Sequence, residues 1–498
     1  MRWLLANGGT GEGSRLGGLH VTNLCVPDKE LDLNGISVDF PVILERCRLG
    51  KLLLRDARLV TLKLTGTHCN GIAGDRLRVD HGLLLDRGFT AYETTRLPAI
   101  RVGDDLNCTD GRFAAGEAGK SALLLDGAHV DGRLYLNKVV AAPAFQKPRE
   151  ELDECEKAPA RAGGTSAQGV RIGGNLLCTD SIFSTTSEEK SALQLEACVV
   201  DGNGVFVRMA ANGDVKMRQA RFSGTLSFRG AKLASVLDLR RSSVDGDVDF
   251  DSRKATPAML GSKLMLSGAV VGGRLQMGRA DLSGILTVDL SRASIGYLDD
   301  RHATWPTSAN VLLEGISLGG IAVDTRPNAI EHRLAWLRPQ NDADWSPQPY
   351  GQVVAALQLA GEEDAARRIA IGCERDRRDK GGLRWISQAW NWLLDKTIAY
   401  GYRPYWAFIW AIVVVIVCWF VFAGIFATMT FEHSDKHSHF YPLVYSIDAF
   451  LPIVDLGQAS AHSPTGFWPH LTLWAEICLG WLLTTLGVVG VTGLIRNE

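Results

Sequence analysis

Between Gly224 and Phe250 apolar side chains return with a fixed beat. In the consecutive segments GTLSFRGAKLA and SVLDLRRSSVD, apolar residues stand at the third and fifth positions, a small residue at the eighth and an apolar one at the tenth. Leu226, Phe228, Ala231 and Leu233 thus correspond to Leu237, Leu239, Ser242 and Val244, and a third unit opens with GDVDF. The order returns in GRLQMGRADLS (273–283) and, more loosely, in GKLLLRDARL (50–59). Alternation at period two predicts short strands, and the recurring glycines predict bends between them. A unit of about 11 residues is too short for a helical repeat; two units close one coil of a parallel β-solenoid, about 22 residues round, with coils stacked about 4.8 Å apart. The fold class is therefore mainly β, with a solenoid over 19–325 behind a flexible N-terminus at 1–18.

A longer duplication supports this reading. RVGDDLNCTDGRF and KSALLLDGAHVDG, within 101–132, match RIGGNLLCTDSIF and KSALQLEACVVDG, within 171–202. The doubled CTD invites a reactive-thiol reading, but Cys108 and Cys178 occupy the inward fifth position, where other units carry Phe228 or Leu239. A small buried residue before a polar turn accounts for both. Insertions interrupt the rhythm: a long polar one at 142–169, read as a mobile loop, and shorter ones, AAGEAG and STTSEE, at equivalent places in the duplicated blocks. Loops leaving one side of a solenoid repeatedly are expected to form a binding face.

After about residue 325 the glycine rhythm stops. Residues 326–404 read as a helical collar. Within it PYGQVVAALQLAGEEDAARRIAIGCERDRRDK forms two helices broken near Gly361, with Glu362, Glu363 and Asp364 opening the second and Arg377, Arg378 and Lys380 closing it, as the helix dipole favours. LRWISQAWNWLLDKTIAYGYRPYW (383–406) mixes Trp and Tyr with Arg384, Lys396 and Arg403, which suits an interfacial helix at a lipid headgroup layer.

Two long apolar runs follow, at 405–429 and 471–495; each exceeds the ~20 residues needed to cross a ~30 Å hydrocarbon core. Arginines crowd the approach to the first, whereas the loop 430–470 holds only Lys436, so both termini are expected in the cytoplasm. The second run carries Glu476. With Gly480, Thr484, Gly487 and Val491 it shares one helix side, a face suited to helix packing, oligomer contact or pore lining. Counted from residue 471, Glu476 lies about 7.5 Å into the helix, near its outer end. Between the runs, YPLVYSIDAF (441–450) reads as a short helix and LPIVDLGQ (451–458) as irregular chain that is either re-entrant or at the surface. Asp448, Pro452, Asp455 and Gly457 join Glu476, Gly480, Thr484 and Gly487 as the pore or oligomer face. His433, His437 and His439 read as a solvated loop, with metal binding or pH sensing as the alternative.

Composition narrows the function. The 498 residues carry a net charge of −2, which gives no basic footprint for nucleic acid, and 53 glycines against 17 prolines fit many tight turns rather than disorder. The ten cysteines show no metal-type pairing, and the N-terminus has too short an apolar stretch for a secretory signal, so the thiols of the N-terminal part are read as reduced and cytoplasmic. The segment GGTGEG lacks the spacing of a dinucleotide fingerprint; no phosphate-binding GxxxxGK loop and no haem-attachment CxxCH occurs.

Two resemblances enter on these residues. The order of apolar run, short helix, irregular LPIVDLGQ and second run resembles the pore module of two-span potassium-type channels, without the family's Thr-Val-Gly-Tyr-Gly filter and with only Gly457 offering comparable backbone freedom. PYGQ and AARRIAI, LLDKTIAYGYRP, LPIVDLGQ and GWLLTTL with GVTGLI resemble a family of bacterial membrane proteins of uncharacterised activity, some labelled pentapeptide-repeat-like or membrane-associated oxidoreductases. The expected function is a non-enzymatic inner-membrane protein whose cytoplasmic solenoid is a scaffold, binding or sensor surface on an oligomeric two-helix membrane domain. A solenoid-gated pore is the alternative, and an oxidoreductase, which the second resemblance alone implies, the third. No cofactor or nucleic acid is expected; lipid, further copies of the chain and a protein on the solenoid are the expected partners.

Overall fold

A computed structural model describes residues 17–115, 121–143, 163–186, 191–251, 258–282, 284–303, 305, 310–338, 345–380, 385–397, 405–424, 429–431, 439–451, 453–464 and 466–492. The expectations for the extreme N-terminus, for most of the 142–169 insertion, for His433 and His437 and for Pro452 lie outside these residues. The chain divides into two compact units, residues 1–363 and 364–498.

The first unit is a parallel β-solenoid of about 11 turns, with coils of about 23 residues. Each coil has four short strands, two from each unit of the repeat. In one coil these are Arg78–Val79, Leu83–Leu84, Thr90–Ala91 and Thr95–Arg96, each paired in parallel with its counterpart in the coils before and after. The sequence pattern maps onto this cross-section. Leu226, Phe228, Ala231, Leu233, Leu237, Leu239, Ser242 and Val244 all point inward and are buried. Phe206, Phe228 and Phe250 stack on one another with ring centroids 5.2 and 5.3 Å apart. Cys108 and Cys178 are completely buried in the same core, and burial pushes both thiols far above their ordinary value. The CTD segments are core followed by turn: Asp110 and Asp180 take left-handed conformations at φ 61° and 58°.

Corners explain where the coil can be interrupted. The inserted stretches that include 116–120, 144–162 and 187–190 follow the strands Arg112–Ala114, Val140–Ala142 and Ile182–Phe183, which are neighbours in one ladder. The strands before all three insertions therefore end at the same corner of consecutive coils, which the duplication implied for the two shorter ones.

The last coil is closed rather than left with an open strand edge, the usual liability of a sheet. Helix α1 (Ala329–Leu337), which the repeat analysis did not single out, buries Trp336 and Arg333. Trp336 stacks on Trp305 at 5.5 Å and donates from Nε1 to Asp300, which also pairs with Arg333 at 3.4 Å. Helix α2 (Gln348–Leu359) lays two glutamines on the edge strand Ser317–Leu318 and the turn before it. Gln348 accepts from the Gly315 amide at 3.2 Å and donates to the Ile316 carbonyl at 2.7 Å, and Gln352 accepts from the Leu318 amide at 3.1 Å. These side chains supply the partners that a further coil would have given. Helix α2 is followed by a turn at Gly361, φ +78°, as the break in the pattern predicts.

Between the solenoid and α1, Asp324 accepts from the Arg326 guanidinium, and those hydrogen bonds hold its carboxyl down to about 2. A carboxylate depressed in the native state stabilises the fold above its unfolded value of ~3.9 and loses that contribution as pH falls through about 2. Denaturant titrations at successive pH values should show the first unit losing about 2 kcal/mol over this window, and Asp324→Asn should remove that part of the acid limb.

The second unit is helical. Helix α3 (Glu363–Lys380) carries Arg377, Arg378 and Lys380 in its last turn and is joined to α4 (Trp385–Thr397) through Asp395, which pairs with Arg375 at 2.9 Å and Arg378 at 3.4 Å. Helices α5 (Tyr405–Gly424) and α7 (Phe467–Thr492) contain stretches of 20 and 22 residues that are long and apolar enough to cross a membrane. Ile371, Leu394, Ala407 and Leu486 form one apolar cluster uniting α3, α4, α5 and α7. The short helix expected at 441–450 is α6 (Pro442–Phe450), and it packs against both α5 and α7. Strands Met429–Phe431 and His462–Pro464 pair antiparallel and tie the connection after α5 to the chain before α7.

Candidate functional site

The residues singled out between the long helices do gather around α6, but they divide into two groups. Asp448, on the buried side of α6, is an acceptor for the irregular segment that follows. Its Oδ1 takes the Leu456 amide at 2.5 Å, and its Oδ2 takes the amides of Gln458 at 2.9 Å and Ala459 at 2.7 Å. A single carboxylate therefore satisfies three backbone donors of a segment that forms no helix or strand of its own. Gln458 adds a second tie, accepting from the Tyr441 amide at 3.2 Å at the start of α6. Asp455 turns back on its own loop, accepting from the Gly457 amide at 2.8 Å, while Gly457 takes φ +76°. Ile453, Val454, Asp455 and Leu456 are exposed, Ile453 at 87%, so in the single chain this loop lies at the surface with its backbone anchored beneath.

Sequence reasoning placed Asp448 on a pore or oligomer face and did not see this role, since its donors lie 8 to 11 residues further on in chain without regular structure. Charge-assisted hydrogen bonds contribute about 1.5–3 kcal/mol each, and an amide cannot accept on both sides. Asp448→Asn should therefore raise amide exchange at Leu456, Gln458 and Ala459 by roughly 10-fold or more, with α5 and α7 unchanged. Unaltered exchange at those three amides would show that the carboxylate does not hold the loop.

The second group lies on α7. Glu476, Gly480, Leu483 and Gly487 form a buried side, and Thr484 beside them is half-buried. The side is occupied within the chain. A Cβ on Gly480 would meet the Phe450 carbonyl oxygen at 2.1 Å, so the end of α6 lies directly on α7 there; Gly487 faces Ala407 of α5. Helix α7 also begins earlier than the apolar pattern indicated, at Phe467, because Pro469 sits in the first turn, where proline costs nothing. That corrects the depth of Glu476, which stands about 14 Å from the helix start at 1.5 Å per residue.

Glu476 is completely buried. The Ser446 hydroxyl of α6 bonds both its Oε1 and, at 3.1 Å, the Val415 carbonyl of α5. Cys418, Phe422 and Tyr445 pack as a cluster beside it. Phe440 bridges Tyr445 and His462, at 5.3 and 5.1 Å between ring centroids. Ser446 and Tyr445 were missed in the sequence. The available signal was a hydroxyl pair, Tyr445-Ser446, inside an otherwise apolar short helix.

No family model, curated protein or solved structure matches this chain. The sequence resemblances are carried no further than the solenoid and the two long apolar helices.

On the solenoid, register produces a column of exposed basic groups. Arg58, Arg78, Arg101, His129 and Arg171 pair directly, coil to coil, on one face. Asp80 pairs with Arg58 at 3.3 Å and Asp131 with His129 at 3.0 Å. Arg78, Arg101 and Arg171 make no ion pair among the described residues. Like charges directly opposite in a ladder destabilise it, so this column costs the fold something and is not explained by packing.

Proposed function

We propose that this chain is a non-enzymatic protein of the bacterial inner membrane, crossing it twice through α5 and α7 with both termini in the cytoplasm. The solenoid is a scaffold or sensor surface for a protein partner, and the membrane unit assembles with further copies. The observation that carries the reading is the basic column: basic groups in register at about 4.8 Å intervals on a rigid ladder, of which Arg78, Arg101 and Arg171 make no ion pair among the described residues, complement an acidic partner surface. The insertions gathered at one corner support the same use.

Site-directed crosslinking in membranes tests it. A photo-crosslinker at Arg78 or Arg101 should trap a recurring product that the triple change of Arg78, Arg101 and Arg171 to Glu abolishes without altering the exchange protection of the solenoid. A crosslinking pattern indifferent to the triple change removes this surface from function. Release of the chain from membranes by alkaline carbonate removes the membrane assignment.

A second reading, a pore gated by the solenoid, is favoured by one feature: an irregular loop anchored by a buried carboxylate after a short helix between two long apolar ones. Conductance in planar bilayers by the purified assembly is its expected result, and a silent assembly ends it.

A further inference from the structure

The Glu476 site poses a problem of proton inventory. The carboxyl group is completely buried, the Cys418 thiol lies against it, and Oε2 has no oxygen or nitrogen donor among the described residues. Lys and Arg are absent from the described residues of 405–492, so no fixed cation stands near to neutralise it. The titratable groups on the surrounding elements are Cys418 on α5, Tyr445 and Asp448 on α6, His462 on the strand before α7 and the half-buried His470 on α7 itself. Asp448 is committed to three backbone amides and His462 lies 3.3 Å from the Gln458 carbonyl.

Ser446 decides between the two forms of the acid. Its hydroxyl has one proton and two neighbours, the Val415 carbonyl and Glu476 Oε1. A carboxylate there would be a buried charge held by the Ser446 hydroxyl and by the Cys418 thiol, a weak donor, with no fixed cation among the described residues of 405–492 to pair with it, which costs several kcal/mol. A carboxylic acid instead donates to Ser446, which then donates to Val415. Each proton is used once, and the chain of bonds links α7, α6 and α5.

We propose that Glu476 is a proton-binding site, and that the bound proton clamps the short helix α6 between α5 and α7. Loss of the proton leaves a carboxylate that this pocket does not solvate, so α6, and with it the loop that Asp448 anchors, separates from α7. The ligand is a proton, and the site makes the membrane unit responsive to acidity. The inference rests on α5 and α7 crossing a membrane.

Full-length protein in lipid vesicles tests it with two readouts. Infrared spectra should contain a protonated-carboxyl carbonyl band that is missing from Glu476→Gln and persists to a higher pH than the bands of exposed carboxyls. Amide exchange of residues 442–450, corrected for its intrinsic pH dependence, should be slow while the band is present and accelerate at least 10-fold as it disappears. Glu476→Gln, whose amide donates to Ser446 as the acid does, should stay protected at every pH. The absence of an acid band assignable to Glu476, or α6 exchange indifferent to pH in the unaltered chain, overturns the proposal. Loss of the band on adding sodium at constant pH also overturns it, because a metal cation would then be the ligand. Extraction by alkaline carbonate is read on the same vesicles: release from the lipid refutes the membrane premise, whereas retention without the band refutes the proton site alone.

Discussion

Replacing Phe228 by alanine is expected to cost about 3–5 kcal/mol, the range for deleting a fully buried aromatic ring. Phe228 is the middle of three stacked rings, so its loss opens a void that Phe206 and Phe250 border from either side. Neither neighbour can close it freely, because each is fixed by the parallel pairing of its own coil. In a stacked-coil protein each coil touches only its neighbours, so the damage should be local before it is global. Hydrogen exchange should rise first in the coils that hold the three phenylalanines, while the coils near Leu83 and near the α1–α2 cap keep their protection. A uniform rise along the solenoid would mean that it unfolds as one cooperative block.

The second large effect belongs to the helical unit. Gly480→Leu would place a Cβ 2.1 Å from the Phe450 carbonyl oxygen and 2.9 Å from its carbon. The obstacle is backbone at the end of α6, which cannot swing aside like a side chain. The cost should reach or exceed the upper end of the ~1–3 kcal/mol of ordinary overpacking. Thermal unfolding in detergent, followed through tryptophan fluorescence, should show the helical transition lowered and the solenoid transition unmoved. Gly351 provides the contrast: a Cβ there meets nothing within 4 Å, and Gly351→Ala in α2 should be neutral or stabilise by up to ~1 kcal/mol. Equal behaviour of the two substitutions would disprove the tight α6–α7 contact.

The parts that sequence made legible are those held together by local repetition. Leu226, Phe228, Ala231 and Leu233 could be assigned to the core because a strand turns alternate residues inward and the next unit repeats the choice. Cys108 and Cys178 followed from the same rule. Gly361 marked the break between α2 and α3 because a left-handed residue there suits few others. What stayed illegible depends on chain segments meeting at a distance. The three amides on Asp448 come from a loop that bends back over it, and the partner of Glu476 lies on another helix 30 residues away. Helix α1 has no repeat to announce it; its reason for forming is the pocket that Asp300 and Trp305 prepare for Arg333 and Trp336.

The glutamine-covered last coil has a consequence for how such a chain can change size. Every ladder repeats once per circuit, and the cap reads only the final one. Whole circuits can therefore be added or removed upstream while α2 still finds the same strand edge to seal. Extra residues of any other number must be left out of the ladders, and the three insertions all fall where the chain turns one corner. A fractional circuit would rotate every later inward residue toward solvent, like a partial step built into a spiral staircase. The length of this protein is accordingly quantised, in increments of about 4.8 Å, and its surface columns are ruled at that interval.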